Sequence, residues 1–523
     1  MTPKKTLRLG TRRSALAWVQ SSQVAVALRA AHPGLEVELV GIDTRGDKVL
    51  DRPLSEIDGK EFFTAELDAA LREQRVDFTV HSLKDLSTER PADFVLAAVP
   101  ERANPRDFAL FAPDVPERLA AGAGLTIGTS SPRRAELLPP FLAQALPHGA
   151  RNRISLTNLR GNVDTRLRRL HEPRGSERHL DGVVLAFAGL SRLFADIATE
   201  RQGQQLLSGL LQNLHCMVLP LTEFPGAPGQ GALAIECRAE DETTRALLAA
   251  LEDPATRGAI TVERQVLSEH GGGCHQRFGA TLQWLPGLGG LLRVAGRSSA
   301  NHDISDEIWV PEVRLEEPIG RVHEWDGSRS EPARAKYLLT AQQLSGRIHN
   351  EAVFVAHARA LPPDGAAALR GKTVWTSGRK SWFQLAAHGV WVHGCSEGLG
   401  AEAAAVLVAE PLLRLPLPKH WTVLTHDAAV EPWHQGTWSG AQVLATYALG
   451  ETPLPDTAAL ASATHVFWSS TAQFERCRHL VAPIAHHASG PGKTADHIRA
   501  SGVRNFRPFP SAEEWRRWIA RAL

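Results

Sequence analysis

The chain has 523 residues, of which 43% are hydrophobic and 22% are charged, and its formal net charge is +1. This length predicts three or four domains, and the small net charge excludes the global basic field that is typical of nucleic-acid binders. No apolar run is long enough for a secretory signal or a membrane span. We therefore expect a cytoplasmic protein that binds neither nucleic acid nor membrane.

The first part of the chain alternates between strand and helix patterns. Short apolar or alternating runs at 6–10, 35–42 and 76–82 predict strands. Helical spacing separates them, first in SALAWVQSSQVAVALRAAH, where Ser14 is the expected N-cap, and then at 63–74. This order predicts a parallel sheet in an α/β domain.

The same alternation returns in residues 107–215, which predicts a second α/β domain. Its expected strands are LTIGTSS at 125–131, RISLTNLRG at 153–161 and the start of LDGVVLAFAGLSRLF at 180–194. The Gly/Pro-rich segment 218–238 then ends in an apolar strand. We expect that strand to return to the sheet of the first domain.

From residue 242 the pattern changes to two helices followed by an alternating strand. DETTRALLAALED and ATRGAITVERQVLSEH predict the helices, the second ending on Gly271 as C-cap. RFGATLQW predicts a strand that places Phe278, Ala280, Leu282 and Trp284 on one face. These residues indicate a small α+β domain, and an α/β alternation resumes from about residue 351.

Cys274 stands in the loop between that helix and that strand, in the stretch HGGGCHQRFG. The chain has five cysteines, widely spaced and without a CxxC pair, which argues against a disulfide framework or a zinc finger. The three preceding glycines leave the thiol accessible. The residues leave open a metal site with His270 and His275, a nucleophile, or a covalent anchor that carries a group into a cleft.

Adjacent arginines begin one of the predicted helices. In GTSSPRRAEL, Ser131 is the expected N-cap and Pro132 the first helical residue, so Arg133 and Arg134 fall in the first turn. Cations oppose the helix dipole there unless an anion binds. Guanidinium forks beside free backbone N–H groups favour a carboxylate or phosphate ligand, although solvated surface arginines are an equally ordinary outcome.

Further arginines stand at other strand-to-helix turns. Arg12 lies in GTRRSAL, Arg160 and Arg166 in LRGNVDTRLRRL, and Arg192 in AGLSRL. Ligands of open α/β sheets bind outside the carboxyl ends of the strands, so these turns predict a cleft for a ligand with many negative groups.

The turn HSLKD ends the third expected strand and supplies polar groups to the same edge. Ser82, Lys84 and Asp85 belong to it. Asp85 has the ordinary alternative of a loop carboxylate. Among so many arginines we expect it to stay ionised, and an ionised carboxylate stabilises a developing cation or holds a pyrrole-type N–H.

These motifs, in this order, resemble hydroxymethylbilane synthase, also called porphobilinogen deaminase. TRRSALA, TRGD, GKEFF, HSLKD, GTSSPRR, LRGNVDTRL, LAFAGLSRL, PGQGALAIECR and GGGC carry the resemblance over residues 6 to about 285. It implies two type-II periplasmic-binding-protein-like α/β domains and a third domain. It also implies a transferase that joins four porphobilinogen molecules into linear hydroxymethylbilane with release of ammonia. The partners are then porphobilinogen and the growing oligopyrrole chain, and we expect a monomer.

The resemblance also implies a covalent dipyrromethane cofactor, linked by a thioether to Cys274, and no metal. By matching position, Asp85 is the catalytic carboxylate. The residues implied to bind cofactor and substrate are Arg12, Ser14, Lys60, Phe63, Ser82, Lys84, Ser131, Arg133, Arg134, Arg160, Arg166, Gly189 and Arg192. Glu61 and Ser87 depart from the family's usual glycine and proline.

The last third of the chain is similar to uroporphyrinogen-III synthase, the next enzyme of the same pathway. AVFVAHARAL, VWTSGRKSWFQLAAHGVWV, HASGPGKTADHIRASGV and FPSAEEW carry this resemblance. The usual opening βαβ unit is not evident, and Asp427 or a neighbour stands where that family often has arginine. The resemblance leaves open a bifunctional enzyme or a degenerate module that is kept for docking or stability.

The expected fold class is α/β, with two periplasmic-binding-protein-like domains, a small α+β domain and an α/β uroporphyrinogen-III-synthase-like module. The expected boundaries are 1–106 plus 217–238, 107–216, 239–350 and 351–523. A non-enzymatic anion-binding receptor on the same two-domain scaffold is the alternative, since it needs the arginine cleft but neither Asp85 nor Cys274.

Overall fold

A computed structural model describes most of the chain. The described residues are 6–44, 64–149, 153–195, 202–272, 276–316, 322–327, 335–450 and 456–522. The predictions for Lys60, Glu61, Phe63 and Cys274 lie outside them. The chain divides into two compact units: unit 1 is Met1–Ala143, Ala150–Gln283 and Leu292–Ile308, and unit 2 is Gln144–Gly149, Trp284–Leu291 and Trp309–Leu523.

The strands and helices predicted up to residue 285 occur in the predicted order, and the structure adds others that the sequence patterns did not predict. The strands are β1 Thr6–Arg12, β2 Glu36–Ile42, β3 Phe78–Ser82, β4 Phe94–Ala98, β5 Asp107–Phe111, β6 Leu125–Gly128, β7 Ile154–Thr157, β8 Gly182–Ala186, β9 His215–Val218, β10 Leu233–Arg238, β11 Arg277–Leu285, β12 Gly289–Arg297 and β13 Asp303–Pro311. The helices are α1 Ala15–Ala31, α2 Ala65–Arg72, α3 Val115–Ala120, α4 Pro132–Ala145, α5 Val163–Arg168, α6 Phe187–Phe194, α7 Gln202–Leu210, α8 Glu242–Leu248 and α9 Pro254–Glu269.

The first sheet of unit 1 has the strand order β2-β1-β3-β10-β4. Strand β1 pairs in parallel with β2 and with β3, which confirms the predicted parallel sheet. Strand β10 runs antiparallel between β3 and β4, so the apolar strand after the Gly/Pro-rich segment does return to this sheet. Apolar residues of all five strands and of α1 share one core, among them Leu7, Val37, Phe78 and Ile235, and their burial stabilises the sheet.

The second sheet of unit 1 has the order β7-β6-β8-β5-β9. Strand β6 pairs in parallel with β7 and β8, whereas β5 is antiparallel to β8 and β9. Strand β5, with the sequence DFALF, is buried along its whole length. Such a run is typical of a central strand covered on both faces.

Strands β11, β12 and β13 form a separate sheet in that order. Helix α9 packs Ala259 and Leu267 against Phe278 and Ala280 of β11. Gly271 follows the helix with φ +94°, the left-handed conformation expected of a residue just past a helix end. Strand β11 includes Phe278, Ala280, Leu282 and Trp284 at alternating positions, as predicted, and Trp284 is 50% exposed near the end of the strand. It lies one residue before the turn that the Leu288 N–H closes onto the carbonyl of Leu285.

Unit 2 contains two further sheets built from elements after residue 322. The strands are β14 Glu324–Trp325, β15 Ala335–Tyr337, β16 Ala352–Val355, β17 Thr373–Thr376, β18 Val392–Cys395, β19 Trp421–His426, β20 Gln442–Leu449, β21 His465–Trp468, β22 His486–Ser489 and β23 Phe506–Pro508. The helices are α10 Ala341–Arg347, α11 Arg379–Ala387, α12 Ala401–Val408, α13 Thr457–Ala461, α14 Thr471–Cys477, α15 Lys493–Ala500 and α16 Ala512–Ile519.

These sheets have the orders β15-β20-β19-β16-β17-β18 and β14-β21-β22-β23. Their pairings are parallel except that of β15 with β20. The α/β alternation predicted after residue 351 is therefore confirmed as strands and helices. The boundary after residue 350 stays a prediction, and β14, which precedes it, pairs with β21 in the second of these sheets.

None of the helices in the described part of the chain is both long and apolar enough to cross a membrane.

Candidate active site

The HSLKD turn presents Asp85 at the end of β3. Leu83–Asp85 forms one 3₁₀ turn, in which Leu83 is buried and Asp85 is exposed. The Leu83 N–H donates to the carbonyl of Ala232 at 3.0 Å, and Gly229, at φ +78°, leaves room for the Leu83 side chain. The turn is therefore anchored by an apolar side chain, while its carboxylate stays open to solvent.

Ser82 and Lys84 flank that anchor and both contact buried glutamines. Ser82 Oγ and the amide of Gln20 exchange hydrogen bonds at 3.1 and 3.3 Å. Lys84 Nζ donates to Gln230 Oε1 at 3.3 Å. Burial lowers the pKa of Lys84 to about 8, against the opposing effect of Asp85. Burial of the Lys84 ammonium costs free energy, and an anionic ligand beside it would lower that cost.

Arg133 and Arg134 are buried at the start of α4 and share one internal carboxylate. Arg133 Nη2 lies 2.6 Å from Asp107 Oδ2, and Arg134 Nη2 lies 2.7 Å from Asp107 Oδ1. The predicted first turn is confirmed, since the Arg134 N–H donates to Ser131 Oγ at 3.4 Å. The anion that offsets these two cations is, however, part of the chain itself.

Arg166 and Arg160 add positive charge that this carboxylate does not balance. Burial, and then the positive charges of Arg134 and Arg160, lower the pKa of Arg166 to about 10, while Asp85 acts in the opposite direction. Arg166 Nε donates to the Gly161 carbonyl at 2.7 Å. Asp85, Arg134 and Arg160 are therefore all near enough to Arg166 for their charges to affect its pKa, and a common binding cleft stays a prediction.

Arg192 lies in the last turn of α6 and not in the predicted strand-to-helix turn. It is buried, its Nη2 donates to the Gly231 carbonyl at 2.6 Å, and burial lowers its pKa to about 10. A cation is favoured at a helix C-terminus, which accounts for this placement. A Cβ on Gly189 of the same helix would lie 3.4 Å from Leu16, an ordinary contact distance.

Arg12 and Ser14 lie where β1 leads into α1. Arg12 is half-buried, and its charge contributes, after burial and Arg90, to lowering the pKa of His81 to about 3. Ser14 Oγ accepts the Ala17 N–H at 3.4 Å, which confirms the predicted N-cap. Ser14 therefore has a structural role in helix capping that is independent of any ligand.

Sequence reasoning missed Asp107, Gln230 and Gln20. Asp107 and Gln230 are completely buried, and Gln20 is 5% exposed. A signal was present for the first two, because Asp107 heads an otherwise apolar strand and Gln230 stands in the Gly/Pro-rich PGQGA. Buried polar groups need partners, so their positions predict a polar network without naming its members.

The cluster fits an anionic cofactor. Arg133 Nε and Arg134 Nε are buried donors without a hydrogen-bond partner among the described residues. Lys84, Arg160 and Arg166 contribute cations to the same cluster, whose carboxylates include Asp85 and Asp107. Within the described ranges, no group of three or more His, Cys, Asp or Glu residues has the arrangement of a metal site.

The comparisons with known proteins define the class of protein. Residues 7–246 match the family model described as porphobilinogen deaminase, dipyrromethane cofactor-binding domain. The chain is 45% identical over 290 residues to porphobilinogen deaminase of Roseiflexus sp. (strain RS-1), covering 85% of that protein and 55% of this chain. It is 36% identical over 318 residues to porphobilinogen deaminase of Paraburkholderia phytofirmans, covering 84% of that protein and 61% of this chain.

Among solved structures, YhfZ from Shigella flexneri is 12% identical and covers 51% of this chain and 93% of its own, with a TM-score of 0.24. A similarity this low carries no argument. The curated relatives do: the chain belongs to the porphobilinogen deaminase family, whose members are transferases with a dipyrromethane cofactor.

Proposed function

We propose that this chain joins four porphobilinogen molecules head to tail into linear hydroxymethylbilane and releases ammonia. One observation carries the proposal beyond family membership: Lys84 and Arg166 both lie near enough to the exposed Asp85 for its charge to raise their pKa values, and the charge of Arg134 acts on both of them. Each pyrrole of the substrate carries an acetate and a propionate, so the growing chain is a polyanion. Guanidinium groups bind carboxylates through paired, charge-assisted hydrogen bonds.

In this proposal Asp85 is the catalytic carboxylate. Its exposed position allows it to hold a pyrrole N–H and to stabilise the cation that forms as ammonia leaves. Lys84 neutralises substrate carboxylates beside it. The other proposed binding residues are Arg12, Ser14, Lys60, Phe63, Ser82, Ser131, Arg133, Arg134, Arg160, Arg166, Gly189 and Arg192.

The cofactor is proposed to be held by a thioether to Cys274. When bound, dipyrromethane supplies the covalent starting point of the growing chain. The buried Nε donors of Arg133 and Arg134 are suited to its carboxylates. The receptor alternative is not favoured, because the relatives that match most of their length are named as an enzyme.

Intact-mass measurement of the purified chain tests the anchor, with a porphobilinogen turnover assay beside it. We expect an added mass near that of two linked pyrroles on the wild-type chain and none on Cys274→Ala, together with loss of turnover in that variant. Cys216→Ala is the matched control, since Cys216 is assigned no role. Turnover by Cys274→Ala would overturn the anchor, and a wild-type chain without turnover would overturn the function.

We further infer that residues 322–522 form a uroporphyrinogen-III-synthase-like module that acts on the released bilane. Two parallel α/β sheets support it, with β14 and β21–β23 in one and β15–β20 in the other. The first strand of these residues is the short β14, Glu324–Trp325. A cytoplasmic location and a monomeric state belong to the same proposal.

A further inference from the structure

Two of the arginines assigned to ligand binding are fixed by one buried carboxylate. We infer that Asp107 is a positioning residue, which sets the direction from which Arg133 and Arg134 meet the carboxylates of the ligand. The inference rests on the proposed function. It adds to it Asp107, a residue that holds the proposed binding groups in place.

Each guanidinium is anchored at two points. One anchor is Asp107, whose Oδ2 lies 2.6 Å from Arg133 Nη2 and whose Oδ1 lies 2.7 Å from Arg134 Nη2. The other anchor is a backbone carbonyl: Arg133 Nη1 donates to Pro225 at 2.9 Å, and Arg134 Nη1 donates to Val184 at 2.7 Å. Two hydrogen bonds from separate nitrogens leave a planar group little rotational freedom.

The donors that remain are therefore held in fixed directions. Nε of Arg133 and Nε of Arg134 have no hydrogen-bond partner among the described residues. A buried donor without a partner costs free energy, and an acceptor on the ligand would recover it. Asp107 thus fixes the direction in which each unpaired Nε–H points.

Gln230 extends this arrangement to the turn that carries Asp85. Its Nε2 donates to Asp107 Oδ1 at 3.1 Å and to the Pro105 carbonyl at 2.7 Å. Its Oε1 accepts from Lys84 Nζ at 3.3 Å. Asp107 therefore orients the two arginines directly and Lys84 through one buried amide.

A simpler role for Asp107 is to neutralise two buried cations, and the two roles have opposite consequences. Asp107→Asn removes one negative charge from the cluster. If neutralisation were the whole role, an anionic ligand would bind as tightly as before or more tightly. If Asp107 positions the arginines, the ligand binds more weakly although the site has become more positive.

The experiment compares full-length wild-type and Asp107→Asn chains by the dissociation constant for porphobilinogen and by kcat and KM. We expect the dissociation constant and KM to rise about 10- to 100-fold, as when a charged hydrogen-bonded group loses its geometry, with a smaller change in kcat. Asp107→Glu should recover part of the loss, since it keeps the charge. A folded Asp107→Asn chain with unchanged or tighter binding would overturn the inference.

Asp181→Asn is the matched control. Asp181 is also buried and also pairs with two arginines of unit 1, Arg174 at 2.8 Å and Arg118 at 3.3 Å, but it belongs to no proposed binding group. We expect a loss of stability with little change in KM. An equal rise of KM in this variant would mean that any broken buried ion pair has the effect, and would overturn the inference.

Gln230→Met serves if Asp107→Asn does not fold, because it keeps the side-chain size and removes the hydrogen bonds to Asp107, Pro105 and Lys84. We expect weaker porphobilinogen binding in the same direction, and unchanged binding would count against the inference. If the wild-type chain binds porphobilinogen but does not convert it, only the proposed function is overturned. The inference about Asp107 can still be tested then, because the dissociation constants of the variants can be compared with that of the wild type. A wild-type chain that neither binds nor converts porphobilinogen overturns both.

Discussion

At the scale of single residues, the side chains that the sequence groups as one binding set have different environments. Arg133, Arg134 and Arg192 are buried and hydrogen-bonded to the protein, while Arg12, Arg160 and Arg166 are half-buried. Asp85 is exposed, and Asp107 is inaccessible. The two carboxylates therefore differ: Asp85 is open to solvent, and Asp107 holds Arg133 and Arg134 in place.

Replacing Asp85 with Asn removes the charge and keeps the size of the side chain. We expect kcat for porphobilinogen to fall by about 10²–10³, the usual cost of losing one electrostatic group that stabilises a transition state. Stability should hardly change, because the side chain is exposed. Steady-state kinetics and a thermal melt measure the two effects, with the exposed Glu101→Gln as control. A kcat near that of the wild type would contradict the catalytic role.

The dependence of kcat/KM on pH should show the deprotonation of Lys84. Burial lowers the pKa of this lysine to about 8, so its ammonium form is lost as the pH rises above that value. We expect kcat/KM to fall above pH 8, approaching about tenfold per pH unit, because kcat/KM reports the groups of the free enzyme. In Lys84→Arg the charge persists and the fall at pH 8 should disappear. An unchanged profile in that variant would assign the fall to another group.

At the scale of elements, the HSLKD turn that carries Asp85 packs closely against the PGQGA loop, which is distant in the sequence. Gly229 has φ +78°, and a Cβ there would lie 2.6 Å from Leu83 Cδ2, the apolar anchor of the Asp85 turn. The loop PGQGA thus needs glycine at this position both for its backbone conformation and for space.

Gly229→Ala tests that dependence. We expect a loss of about 1–3 kcal/mol in the free energy of unfolding, and a kcat that falls because Leu83 and the following Asp85 must shift. Chemical denaturation and steady-state kinetics measure the two quantities. Gly175→Ala is the control, since a Cβ there meets nothing within 4 Å. If the Gly229→Ala chain is less stable but keeps the wild-type kcat, the packing of Leu83 against Gly229 does not determine the position of Asp85.

At the scale of the whole molecule, the residues proposed for hydroxymethylbilane synthesis precede residue 275, and the two parallel sheets of unit 2 follow residue 322. Strand β14 pairs with β21, so residues 322–327 contribute to the later part of the chain. A cut that separates the two proposed activities therefore belongs before β14, and residues from Trp309 onwards already belong to unit 2.

A chain that ends at residue 316 should still make hydroxymethylbilane from porphobilinogen, since it keeps every residue assigned to that chemistry. The full-length chain should convert the bilane mainly into the type-III isomer of uroporphyrinogen. Chromatography of the isomers measures the outcome, with the shortened chain as the control that yields mainly type I by spontaneous closure. Mainly type-I product from the full-length chain would contradict the activity of the module. A folded shortened chain without bilane synthesis would contradict the division itself.

The local elements could be predicted from the sequence because they depend on short-range chemistry. Alternating apolar residues mark β2, and a Ser before a helical pattern marks the starts of α1 and α4, where both predicted caps accept a backbone N–H. The same motifs place Asp85 and Arg12 at the ends of strands, whereas Arg166 and Arg192 lie in the last turns of helices. The family follows from these motifs, because their residue types and order are specific.

The tertiary structure decided which charges are available to a ligand. The sequence places Arg133 and Arg134 at a helix start in need of an anion, but it does not show that Asp107, 26 residues earlier, supplies one at 2.6 Å. It marks PGQGA as a loop but does not bring Gln230 to Lys84, 146 residues away. Such contacts arise when separate strands and helices pack, and a buried charge takes whichever partner the fold brings within hydrogen-bonding distance.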